Sequence, residues 1–330
     1  MKKRYYCTRL NETLNFDAQK VFFCCATRTG PSIDIPKPGN IKSIIKKRNK
    51  YIKMLDRGII PKECDGCFDL QEQKSPKLLL FSQISRCPKA KMIIVKHFKQ
   101  CDCSCVYCCE QYLSGRKIVL KSKKSDYYDL LPIIEELYKL NIIDSKELDV
   151  HFQGGNVSVL DEFDDLVDIF INQGVKRIEI ATNGIQYLPQ IKEISNKTFV
   201  DVNISIDAGC RETYKKIKTV DKFDELVENL KKYVNLPILL RLKYIIVRGY
   251  NDNLEELQKY INLMKEIGIT NSELMIDQCD SEFLSGGQFK IPNHYYELFN
   301  FYQQECIKQG IQANIWEYIK EILDKGSFFK

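Results

Sequence analysis

Five cysteines fall within nine residues in the stretch Cys101-Asp102-Cys103-Ser104-Cys105-Val106-Tyr107-Cys108-Cys109. One frame through them, Cys101, Cys105 and Cys108, has the spacing C-x3-C-x2-C. Cysteine thiolates ligate iron–sulfur clusters, and three on one short loop can hold three irons of a [4Fe–4S] cube. The fourth iron is then open to a small molecule. Crowded cysteines also produce spacings by chance, and Cys105-x2-Cys108 is equally half of a zinc knuckle. Cys103 and Cys109 fit neither pattern.

A second set consists of Cys7, the pair Cys24-Cys25, and Cys64-Asp65-Gly66-Cys67. Four thiolates from such a set suit either Zn(Cys)4 or a second [4Fe–4S] cluster, since both take four sulfurs. Val21-Phe22-Phe23 reads as a short strand, so alternation lets only one of Cys24 and Cys25 face the metal, without saying which. Eleven of the 14 cysteines precede residue 110. In a reducing compartment such clustering points to metal or catalysis rather than disulfides. Cys87 has no partner at motif spacing, and Cys210, Cys279 and Cys306 read as isolated, buried apolar residues.

The elements that must position these groups follow a regular pattern. Lys42–Arg57 has helical periodicity, stops at Gly58, and delivers the chain to Cys64 and Cys67. From residue 91 onward, strand, loop and helix alternate. The expected strands are 92–95, 148–152, 177–181, 200–206, 238–247 and 273–276. The expected helices are 127–140, 161–173, 187–194, 223–234, 254–267 and 295–309. Six strands alternating with helices imply a parallel sheet with right-handed crossovers, closed as a partial (β/α)6 TIM-type barrel. We therefore expect an α/β protein with a small cysteine-rich N-terminal domain over 1–88, a barrel over 89–285 and a helical extension over 286–330.

Polar residues gather at the strand ends, where a barrel site would lie. The first strand opens into the cysteine loop. Gln153-Gly154-Gly155-Asn156 follows the second, and Thr182-Asn183-Gly184 the third. Asn203, Ser205 and Asp207 alternate on the fourth, and Arg241 and Lys243 on the fifth. His151, between Val150 and Phe152, reads as a barrel-lining residue, and Asp207 also suits a turn cap. Ser285-Gly286-Gly287 reads as a flexible loop, and Trp316, Phe328 and Phe329 as packing residues.

These motifs, taken in order, resemble the radical S-adenosylmethionine (radical SAM) enzymes over roughly residues 91–280. The resemblance implies a [4Fe–4S] cluster on Cys101, Cys105 and Cys108, whose open iron is chelated by SAM. It implies that Tyr107 lies by the adenine and Ser205 by the ribose. Gly154-Gly155-Asn156 matches the family's Gly-Gly-Glu at the methionyl amino group, except that Asn156 brings no charge. Thr182-Asn183 matches its T-N-G, and Ser205-Ile206-Asp207 its S-x-D, followed by Glu212-Thr213-Tyr214. Arg241 or Lys243 would meet the SAM carboxylate. The N-terminal cysteines resemble SPASM or Twitch auxiliary-cluster domains, although those usually follow the barrel. The implied chemistry is reductive cleavage of SAM to a 5′-deoxyadenosyl radical that takes hydrogen from a substrate. An electron donor such as flavodoxin or ferredoxin is implied as a partner.

Composition bounds the rest. With 330 residues, 44% hydrophobic and 28% charged, the chain can bury a large core without disulfides. No apolar run reaches membrane-spanning length, and the basic N-terminus has no apolar segment behind it, so a cytoplasmic location is expected. The net charge of +6 conceals an asymmetry: residues 1–125 hold 27 Lys+Arg against 10 Asp+Glu, and residues 126–330 hold 23 against 34. A basic half favours an anionic partner. The expected substrate is therefore an anionic or sugar-like small molecule, oxidised or epimerised. A peptide- or protein-modifying enzyme is the alternative. A non-catalytic zinc or iron–sulfur protein binding RNA is the reading from another class, although nucleic acid is not the expected partner.

Overall fold

The computed structural model describes residues 3–24, 30–35, 40–67, 69–72, 88–108, 128–277 and 291–315. Expectations for Cys25, Cys87, Cys109, Cys279, Ser285-Gly286-Gly287, Trp316, Phe328 and Phe329 lie outside them. The chain forms two compact units. The first comprises the described parts of 1–99, 122–155 and 160–179, the second those of 100–121, 156–159 and 180–330.

The first unit runs β1 (Tyr5–Tyr6), α1 (Thr8–Glu12), β2 (Thr13–Asp17), β3 (Lys20–Phe22), β4 (Ser32–Asp34), α2 (Lys42–Asp56) and β5 (Gln71–Glu72). It continues with β6 (Met92–Lys96), α3 (Leu131–Lys139), β7 (Asp149–Phe152), α4 (Phe163–Asn172) and the first half of β8 (Arg177–Thr182). Strands β6 and β7 pair in parallel, as alternating strands and helices require. β2, which periodicity alone does not reveal, pairs in parallel with β6 and buries Leu14 and Phe16 completely. β3 and β4 then extend this sheet antiparallel, leaving β4 as its edge. α2 turns Ile44, Arg48, Tyr51 and Leu55 inward, the spacing of one helical face. α3 starts later than expected because Pro132 stands at its start, where the ring needs no backbone donor.

The second unit holds the end of β8, α5 (Ile191–Ser195), β9 (Phe199–Ser205), α6 (Arg211–Lys218), α7 (Phe223–Tyr233) and β10 (Leu239–Ile246). It ends with α8 (Leu254–Ile267), β11 (Asn271–Ile276), α9 (Asn293–Lys308) and β12 (Gln312–Ile315). Strands β9 to β12 are all parallel, with Ser205 beside Lys243 and Lys243 beside Glu273. In β10 the residues alternate strictly: Leu240, Leu242, Tyr244 and Ile246 are buried, while Arg241 and Lys243 stand half-exposed on the other face. α8 matches its expectation because both its ends are coded locally. The Asn253 side chain accepts a hydrogen bond from the Glu256 amide (3.0 Å), and Gly268 closes the helix at φ 87°. α5 begins after the expected Tyr187, since Pro189 disfavours helix at the residue before it. α6 and β12 are absent from the sequence pattern; in α6 only Tyr214 and Ile217 are buried apolar residues, too few to register.

Candidate active site

The cysteine loop follows the strand that should deliver it, and it docks against the C-terminus of α6. The Val106 amide donates to the Ile217 carbonyl (2.9 Å) and the Ser104 amide to the Lys218 carbonyl (3.3 Å). The Thr219 hydroxyl donates back to the Ser104 carbonyl (2.9 Å). Carbonyls in the last turn of a helix lack internal partners, so the loop satisfies groups that α6 would otherwise leave open.

Beneath this docking lies a buried charged triad. Lys218 and Asp207, 1% and 0% exposed, form an ion pair of 2.5 Å. The Tyr107 hydroxyl donates to the same carboxylate (2.5 Å), and Lys218 in turn donates to the Tyr107 oxygen (2.7 Å). The other carboxylate oxygen accepts the Ile245 amide (2.8 Å), which fixes Asp207 in its left-handed conformation at φ 59°. Burial pulls the Lys218 ammonium down, but Asp207 and the nearby Cys105 outweigh it, and the net shift is upward. Asp207 therefore does more than cap a turn: it ties the aromatic residue of the cysteine loop to the end of β9.

The thiols differ in exposure. Cys103 is fully buried, whereas Cys101, Cys105 and Cys108 are partly exposed. Hydrogen bonds from the Cys103 thiol lower the pKa of Cys101 and bring Cys105 down to about 7; burial opposes the shift in Cys105 and the Lys218 ammonium assists it. Those same bonds, with burial, push Cys103 itself upward. Acidified, accessible sulfurs at 101 and 105 suit a thiolate-ligated cluster, with Cys103 as a donor behind them. Among the described residues no three such donors close around a single ion, a tighter arrangement than three thiolates around a cube require.

Asn156 is 1% exposed, and its carbonyl accepts from the Thr182 hydroxyl (2.7 Å). Its amino group faces Ser158 (2.6 Å), Asp102 (2.9 Å) and Asn183 (3.0 Å). The acceptor these amides converge on is Asp102, which also takes hydrogen bonds from Asn183 and Gln186. Asn183 further donates to the Cys103 sulfur (3.3 Å). Thus Cys101, Cys105, Cys108, Tyr107, Asn156, Thr182, Asn183 and Asp207 form one network, while Asp102 and Lys218 escaped the sequence reading. An aspartate between two cysteines and one lysine among several carry no sequence signal.

The side chains of the remaining candidates have other surroundings. Gly154 and Gly155 follow β7 in the first unit. At Gly154 (φ 103°) a Cβ would sit 3.0 Å from the Phe98 carbonyl and 3.1 Å from Lys96 Cβ, so close packing, rather than ligand access, demands the glycine. Arg241 is ion-paired with Asp201 (3.2 Å) and Lys243 with Glu273 (3.8 Å), so both cations already have partners. Ser205 lies beside Lys243 in register. His151 pairs with Glu179 (3.7 Å), consistent with a strand-lining role. A buried pair absent from the sequence reading, His97–Glu162 (2.5 Å), lies in the first unit. In that unit Cys7, Cys24 and Cys64 are buried, and Cys64 feels Cys7, Cys67 and Cys24 electrostatically; burial and these neighbours push it up to about 12. Of the pair at 24–25, Cys24 is placed with the others, and Cys25 lies outside the described residues.

Comparison with known proteins agrees with this geometry. The family model of the radical SAM superfamily matches residues 95–264, just over half of the chain. A probable GTP 3′,8-cyclase of Saccharolobus islandicus (strain Y.N.15.51 / Yellowstone #2) is 24% identical over 213 residues. That match covers 64% of each protein, so the chain spans less than two thirds of this relative's length. Among solved structures, Streptococcus suis SuiB bound to precursor peptide SuiA aligns with a TM-score of 0.52 at 12% identity, covering 95% of this chain and 72% of that one. Native anSMEcpe with bound AdoMet aligns with a TM-score of 0.52 at 17% identity, covering 72% and 66%. At such identities the structural likeness speaks for the fold, the partial TIM-type barrel. Among the described residues no helix is long and apolar enough to cross a membrane. The chain belongs to the radical SAM superfamily, whose cofactors are SAM and a [4Fe–4S] cluster.

Proposed function

We propose that this chain is a radical SAM enzyme acting on an anionic substrate, of small sugar-like or nucleotide kind, with oxidation or epimerisation as the outcome. Cys101, Cys105 and Cys108 would hold the cluster. When bound, the cluster and SAM supply a 5′-deoxyadenosyl radical that takes hydrogen from the substrate. The protein's own groups orient and tune. The observation that carries the reading is the network joining the cysteine loop, through Asp102, to Asn156 and Asn183 in the segments that follow β7 and β8. The Asp102 carboxylate carries the negative charge that Asn156 lacks, and it is the group we assign to the SAM ammonium. Tyr107, Asp207 and Lys218 hold the loop in place.

The basic N-terminal part, with 27 Lys+Arg against 10 Asp+Glu over residues 1–125, favours an anionic substrate. The GTP cyclase relative acts on an anionic nucleotide, in keeping with that preference. Cys7, Cys24, Cys64 and Cys67 would hold an auxiliary [4Fe–4S] cluster, or zinc, in the first unit. Peptide modification is the second reading, supported by the groove described below.

Anaerobic reconstitution with iron and sulfide, followed by SAM and dithionite, tests the reading. We expect 5′-deoxyadenosine from the native chain and none from Cys105→Ala, with the N-terminal centre still loaded. Deoxyadenosine from the variant would refute the ligand assignment, and none from the reconstituted native chain would refute the enzyme.

A further inference from the structure

Between α2 and the edge strand β4 lies an open groove of about 700 Å³, a volume within the range of ligand sites. One wall is a stripe of cations on the solvent face of α2: Lys46, Lys50, Lys53 and Arg57, spaced four, three and four residues apart. None of the four has an acidic partner among the described residues. The floor is apolar, made by Ile33 of β4, Met54 and Ile59, the last 47% exposed.

The edge of β4 has a definite hydrogen-bonding sense. The Ile35 amide donates to Gln19 and the Phe23 amide to Pro31, and Ile33 stands opposite Val21. The backbone groups of residues 31, 33 and 35 therefore face β3, and those of Ser32 and Asp34 face outward. Side chains alternate, so with Ile33 on the groove, Asp34 points to the opposite face and does not oppose the cations. Among the described residues, the site thus combines an unpaired strand edge, an apolar floor and an uncompensated positive wall. Solvated lysines alone would need none of the other two features.

We infer that this groove docks an acidic peptide in extended form, its backbone pairing with Ser32 and Asp34 and its alternate side chains meeting the floor and the cations. Such a peptide offers acceptors for the stripe and apolar groups for Ile33 and Met54. A nucleic acid would prefer aromatic platforms for its bases, and the groove lining has none. The inference deepens the peptide reading of the function, but the docking itself requires neither cluster nor SAM.

The test uses the full chain, anaerobically purified, and a fluorescein-labelled peptide of alternating glutamate and valine followed by fluorescence polarisation. We expect saturable binding that weakens with added salt. Lys50→Glu/Lys53→Glu should weaken it about tenfold or more. Ser32→Pro, which removes an outward amide, should weaken it without changing its salt dependence. The alternating lysine–valine peptide should not bind. Binding of both peptides alike, binding unaffected by the charge reversal, or tighter binding of oligouridylate at the same groove would each overturn the proposal. Assaying SAM cleavage by the same reconstituted native chain separates the two readings: peptide binding without SAM cleavage leaves the groove standing, and cleavage without binding leaves the enzyme standing.

Discussion

Lys218→Met probes the triad beneath the cysteine loop. The substitution keeps the length of the stem but leaves the Asp207 carboxylate, fully buried, with only the Tyr107 hydroxyl and the Ile245 amide as donors. Breaking a buried ion pair by removing one partner destabilises by about 3–5 kcal/mol, because an uncompensated charge stays inside. Two surviving hydrogen bonds put the expectation at the lower end, about 3 kcal/mol. For a domain of 150–250 residues that corresponds to a fall in Tm of roughly 6–12 °C. The damage should be local as well as global. The amides of Ser104 and Val106 are held by the last turn of α6, so they should exchange hydrogen faster in the variant. Thermal unfolding and hydrogen exchange of the segment 100–108 measure the two effects. Adding Asp207→Asn, which tolerates the left-handed backbone and removes the stranded charge, should recover more than half of the loss. A Lys218→Met protein within about 1 kcal/mol of native, with unaltered exchange in the loop, would refute the account.

Asp102→Asn should weaken SAM binding by roughly tenfold to a hundredfold, the worth of one charge-assisted bond, as read by equilibrium dialysis with labelled SAM on reconstituted protein. Unchanged affinity would return the ammonium to some other group. In the metal-free chain Cys64, held at about 12 against an ordinary 9.0, is protonated at pH 8. Metal binding must therefore displace its proton, and affinity should rise with pH. Calorimetry in buffers of different ionisation heat should find about four protons released if Cys7, Cys24, Cys64 and Cys67 all ligate, and fewer than about two would sink that set. At Gly209 an added Cβ would overlap the backbone of Lys259 and Tyr260 in α8, so Gly209→Ala should destabilise by about 3 kcal/mol in denaturant titration. A loss under 1 kcal/mol would mean that α8 yields easily.

The division between what is legible in the sequence and what is not follows the range of the interactions. The C-x3-C-x2-C frame, the caps of α8 and the alternation of β10 are written within a few residues, because spacing, capping and pleat are local consequences of backbone geometry. Those features were enough to set the strand–helix order, the barrel class and the frame of cysteines that can bind iron. Nothing local says that the last turn of α6 supplies carbonyls to the cysteine loop, since Lys218 and Ser104 are far apart in the chain and α6 is too short to announce itself. The same holds for β2, whose two apolar residues become a strand only because β6 offers a parallel edge. Asn156 shows the limit from the other side: its motif position says nothing of the Thr182, Asn183 and Asp102 side chains that hold its amide. The sequence by itself determined which atoms can bind iron and along which order of elements they lie. Only the tertiary structure decided which carboxylate stays available, which thiol is buried and which lysine stands behind the loop, because hydrogen-bond capacity and burial depend on neighbours that folding alone brings together.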